Sequence, residues 1–167
     1  MLKSDSSLAS RPTHPTVAMT TTLSSPVGIE TAEPMDSATA FVALALAAVS
    51  WDGVLTMAGS RALRHSLDYR HPYCEYSPEQ MVAQLDQLMG ILRRHGPQHL
   101  MVMAAEVLSP QQRATAYAVA AEIMRSDGPL EDDERNILSN LASTLELGDA
   151  VTIPVHSVMD LLHADLA

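Results

Sequence analysis

The chain has 167 residues and a formal net charge of −10, so its surface repels a phosphate backbone and nonspecific nucleic-acid binding is not expected. Aromatic residues make up only 4% of it against an apolar fraction of 47%, which favours closely packed helices over a sandwich or barrel. Its one cysteine, Cys74, excludes an intrachain disulfide, and no apolar run reaches the roughly 18–20 residues that cross a bilayer.

Residues 1–35 are rich in Ser, Thr and Pro and carry no periodic apolar pattern, so they are expected to form a disordered tail. They also lack the basic start and apolar centre of a secretory signal, and a cytoplasmic location is expected. Residues 36–167 form the expected helical domain, of about seven helices. The first runs from about Ser37 to Ser50, capped by Asp36 or Ser37, and the second from about Met57 to Tyr69. A loop from His71 to Tyr76 follows. Ser77-Pro78-Glu79-Gln80 then opens the third helix with a capping Ser, a first-position Pro and a Gln three residues after the cap. Met81, Leu85, Leu88 and Leu92 give that helix a single apolar stripe, and His95-Gly96-Pro97 ends it. A fourth helix covers about Gln98 to Leu108. Ser109-Pro110-Gln111-Gln112 repeats the start signal for the fifth. The sixth runs from about Asp132 to Glu146 and is stopped by Gly148. The seventh begins near Pro154 and turns Val155, Val158, Met159 and Leu162 inward.

Within this order one unit occurs twice. An Ala-rich apolar run leads to Asp52-Gly53-Val54-Leu55 in one place and to Asp127-Gly128-Pro129-Leu130 in another. Ala favours helix because it loses no side-chain entropy, and Gly supplies the positive φ that closes a helix. Each copy therefore predicts two helices joined by a tight turn. Glu134 stands three residues after Glu131, where a capping carboxylate reaches back, while copy one has Gly59 at that place.

The second copy, from Ser109 to Leu147, resembles the TerB-like family through its Ser-Pro helix start, Ala-rich helix, Ser126-Asp127-Gly128-Pro129-Leu130 turn, and Glu134, Leu138, Leu141 and Leu145. Copy one extends the resemblance back to about Asp36. The resemblance implies an all-α bundle built from two related helix–Asp-Gly–helix hairpins. It further implies a role in stress or tellurite-type resistance, and an acidic surface with metal binding.

The residues themselves point the same way only in part. Asp127 to Asp165 holds nine acidic residues and one basic one, Arg135. Clustered carboxylates repel one another, and a hard cation such as Ca²⁺, Mg²⁺ or Mn²⁺ relieves that repulsion. Asp52, Asp127, Glu131 and Glu134 are the candidate ligands. Acids in a first helical turn also complement the helix dipole, at ~0.3–1 kcal/mol each, so capping explains the same spacing without a ligand. The run is not an EF-hand, because the alternating acids that precede the loop Gly are missing. His95 and His99 are four apart, but Gly96-Pro97 interrupts any helix between them, which spoils the one-face geometry that a His-x-x-x-His site uses. The sequence holds no Gly-x-Ser-x-Gly, phosphate loop or dinucleotide fingerprint, so binding rather than catalysis is expected. The alternative to a metal protein is a metal-independent module that docks a protein partner on its acidic and basic faces.

Overall fold

The computed structural model describes residues 35–126 and 128–165. The expectation for residues 1–34, and that for Asp127, fall outside them. Among the described residues the chain forms an all-α bundle: α1 (Ser37–Val49), α2 (Met57–Asp68), α3 (Pro78–His95), α4 (Pro97–Val107), α5 (Pro110–Met124), α6 (Asp132–Thr144) and α7 (Asp149–Leu162). A single 3-10 turn, Tyr73–Glu75, interrupts the loop between α2 and α3. None of these helices is long and apolar enough to cross a membrane.

Local chemistry sets the starts. Asp36 Oδ1 accepts the Thr39 N–H at 2.7 Å, and this bond holds the Asp36 carboxyl below the usual carboxylate range. Thr56 Oγ1 accepts the Gly59 N–H at 3.0 Å to open α2. Ser77 and Gln80 exchange reciprocal bonds at the head of α3, the Ser77 N–H donating to Gln80 Oε1 at 2.8 Å. Ser109 and Gln112 do the same for α5, with the Ser109 N–H at 2.9 Å from Gln112 Oε1.

Packing then selects α1 as the axis of the bundle. Every residue from Ala40 to Ala48 is buried, so this helix has no solvent face. It rests mainly on α4 and α5, with α2, α3 and α6 also touching it. The alanines along it let the neighbouring backbones come close, while Leu44 and Leu46 fill the spaces between them. Tyr73 closes one end: its hydroxyl donates to the Ala38 carbonyl at 2.7 Å, and burial pushes its phenol pKa up. The methionines at 81, 89, 124 and 159 are all buried in this core, as their helical positions predict.

Several expectations need correction. α7 begins at Asp149, five residues before Pro154, which lies inside the helix. Pro154 and Ala150 are both exposed, so the Ala150 carbonyl that loses its helical donor can be served by water. Of the α7 residues expected inward, only Met159 is buried and Val155 partly so; Val158 and Leu162 face outward. Gly148 does not end α6. Glu146 does, at φ +57°, with the Leu147 N–H bonded to the Ala142 carbonyl at 2.9 Å in a Schellman arrangement. Met35, assigned to the tail, packs against the core.

Candidate functional site

Each repeat builds its turn from the same parts. After α1, the Ser50 hydroxyl is fully buried and donates back to the Leu46 carbonyl. Asp52 Oδ1 then accepts the Val54 N–H at 2.9 Å, the local bond that makes Asp a turn residue. Gly53 takes φ +85°. After α5, Arg125 occupies the cap position equivalent to Ser50, and Gly128 takes φ +151°. Leu130 is buried and Glu131 caps α6, its N–H donating to Glu134 Oε2 at 2.8 Å.

The two turns meet. Trp51, Asp52 and Thr56 from the first repeat and Ile123, Ser126 and Glu134 from the second line one cleft of about 170 Å³. Of the four candidate ligands, Asp52 and Glu134 thus share a cleft. Glu131 does not line it and serves as the cap of α6, while Asp127 is outside the described residues. Asp52 and Glu134 each spend one carboxylate oxygen on a backbone N–H and keep a second. Asp52, Glu134, Thr56 and Ser126 bring oxygen donors to the cleft, the donor type that hard divalent cations take, beside an apolar lining of Ala48, Val49, Trp51, Val54, Ile123 and Met124. Among the described residues, no three His, Cys, Asp or Glu side chains converge at ligand spacing.

The asymmetry between the copies has a steric cause. Gly59 stands where copy two has Glu134, and a Cβ added there would lie 2.6 Å from Val49 Cγ2. No carboxylate can grow from this position while α1 and α2 remain so close.

Elsewhere the polar groups are mostly spent locally. Arg64 pairs with Asp68, and Arg61 Nε donates to the Met57 carbonyl at 3.3 Å, which dilutes the basic face of α2. His71 Nδ1 lies 3.3 Å from Glu75 Oε1 and 3.7 Å from Cys74 Sγ. One nitrogen faces both groups, so this is not a relay in which the two ring nitrogens serve thiol and carboxylate separately. Gly96-Pro97 does interrupt the helix between His95 and His99, and the chain turns a corner there that leaves the two rings 4.9 Å apart.

Sequence reasoning missed a second concave region. α6 and α7 both rest on α5 yet scarcely touch each other, and a groove of about 560 Å³ runs between them. Arg135, Ser139 and Ser143 of α6 face Asp149, Thr152 and His156 of α7 across it. The signal was present as polar residues at i, i+4 and i+8 on α6 and at i, i+3 and i+7 on α7. No family model matches the chain, and no curated protein and no solved structure matches it either.

Proposed function

We propose that the chain is a TerB-like protein of stress or tellurite-type resistance that works in the cytoplasm by binding rather than catalysis. Its ligand on this reading is a divalent cation, Ca²⁺, Mg²⁺ or Mn²⁺, taken in the cleft between the two turns. The observation that supports it is the meeting of Asp52 and Glu134, from separate repeats, in one cleft. Their bonds to Val54 and Glu131 orient both carboxylates in advance, which lowers the ordering cost of a ligand.

A second reading, a metal-independent interaction module, draws on α7. Ile153, Val158, Leu161 and Leu162 leave an outward apolar face there, of the kind that partner helices cover.

Titration calorimetry at fixed ionic strength separates the two, with the emission of Trp51 recorded alongside. Trp51 lines the cleft and is 41% exposed, so a cation bound beside it changes its surroundings. The metal reading expects saturable heat, a coincident change in emission, and loss of both in Asp52→Asn and Glu134→Gln. Bound metal also raises stability by mass action, by about 2.7 kcal/mol at a hundredfold excess over Kd. The absence of saturable heat at about millimolar cation removes the metal and leaves the interaction module.

A further inference from the structure

From the groove between α6 and α7, we infer that this protein has a second binding site, for a short peptide with free amino and carboxyl ends or a similarly elongated zwitterion. The site is separate from the cleft at the turns and does not depend on its reading.

Consecutive helices joined by a tight connection ordinarily bury their facing sides against each other. Here they stand apart over α5, and their facing sides are polar. The groove holds about 560 Å³, within the range of small-ligand sites. Leu130 and Leu147 supply apolar lining, and the hydroxyls of Ser139, Ser143 and Thr152 supply adaptable donors and acceptors. Tyr117 Oη and His156 Nε2 lie 2.9 Å apart within it.

The charges are sorted along its length. Arg125 and Arg135 lie at the end where α6 starts, and Asp149 at the end where α7 starts. Arg125 is largely buried, and its Nη1 is tied to Asp160 Oδ1 at 2.6 Å. Its Nε is buried without any hydrogen-bond partner, an unmet donor in the groove wall. Arg135 is held only by Asp132, in a pair exposed on both sides, so its guanidinium is available to a carboxylate ligand. Asp149 lines the opposite end and takes part in no ion pair among the described residues. Arg125 is held by Asp160 in a largely buried pair, whereas the exposed Arg135–Asp132 pair is weak enough to yield to a ligand, so Arg135 and Asp149 are the cation and anion that meet one.

Length fixes the ligand further. The helical rise places Arg135 about 14 Å from the Thr144 end of α6, near which α7 starts. An extended chain covers about 3.3–3.6 Å per residue, so about four residues span the groove. The ligand's carboxylate meets Arg135, its ammonium meets Asp149, and its amide groups face the hydroxyls between. A single amino acid is too short to reach both.

The probe is tetraalanine, titrated calorimetrically into the full chain beside its N-acetylated and C-amidated forms and free alanine. The expected result is saturable binding of tetraalanine, weakened about tenfold or more by blocking either end, with no binding of alanine. Arg135→Gln should weaken tetraalanine and erase the difference between the free acid and the amide. Asp149→Asn should erase the difference between the free amine and the acetylated form. Circular dichroism melts of both variants verify that they are folded. Equal binding of the blocked forms, binding of the acid end alone, or no saturable heat to about 10 mM tetraalanine overturns the proposal.

Discussion

Gly59 lies so near Val49 that a Cβ on it would sit 2.6 Å from the valine Cγ2. The first turn of α2 is thus pressed against the last turn of α1, and the hairpin closes only because position 59 has no side chain. Gly59→Ala should destabilise the fold by about 1–3 kcal/mol through overpacking, although Ala is the better helix former. Adding Val49→Ala should recover part of that loss, since it removes the clashing methyl. Urea denaturation of the two singles and the double gives the coupling. Additive effects would mean that the cost of Gly59→Ala does not come from the clash with Val49.

Gly53 presents a different case. No atom lies within 4 Å of the place a Cβ would take, so space is not the constraint. Its φ of +85° is. Gly53→Ala should therefore cost about 1 kcal/mol from backbone strain alone. Gly128→Ala, at φ +151° and equally open, should behave alike. Thermal melts of both variants decide whether the repeated Gly does the same job twice.

Asp36 makes the start of α1 sensitive to acid. Its carboxyl is held below its ordinary value by the bond from Thr39, and the unfolded chain restores that value, about 3.9. The contribution is complete above the unfolded value and fades as pH falls through the lower folded one. Asp36→Asn keeps a capping oxygen and should change stability little at pH 7. Below about pH 4 its stability should fall less steeply than that of the parent chain. Denaturant midpoints across that range test the sign.

Arg113 joins three elements. Its Nε donates to the Ala105 and Leu108 carbonyls, both at 3.1 Å, and its Nη1 reaches Glu146 Oε2 at 2.7 Å. The end of α4, the start of α5 and the end of α6 are thereby tied to one guanidinium. Lysine keeps the charge but not the fork, so Arg113→Lys should cost about 1–3 kcal/mol. Glu146→Gln should cost less, because that carboxylate is mostly exposed. Equal costs for the two would place the stabilisation in the ion pair and not in the carbonyl contacts.

What the sequence disclosed follows from how local each signal is. The starts at Ser77 and Ser109 were legible because the cap and its answering Gln lie within four residues. The positive φ of Gly53 and Gly128 was legible for the same reason, but neither Gly closes its helix: Ser50 and Arg125 hold the cap positions three residues earlier. The end of α6 was not, since Glu146 fills a place that Gly usually takes and the nearby Gly148 misdirected the reading. Pro154 likewise hid the first turn of α7, because an exposed edge tolerates an interior proline. The outward turn of Val158 and Leu162 depends on what α7 packs against, which periodicity alone does not specify. The meeting of Asp52 and Glu134 depends on how two hairpins cross, and the spacing of neither copy contains that information.

The buried course of α1 has a consequence for synthesis. Ala40 to Ala48 leave the ribosome ahead of α4 and α5, and the surfaces of those helices that cover them are complete only once Met124 has been added. At about 5–20 residues per second, the newborn apolar segment waits several seconds for its cover. During that interval it is the stretch of the nascent chain most in need of a holdase, and slowing translation between Val49 and Met124 should raise the aggregated yield more than slowing it afterwards.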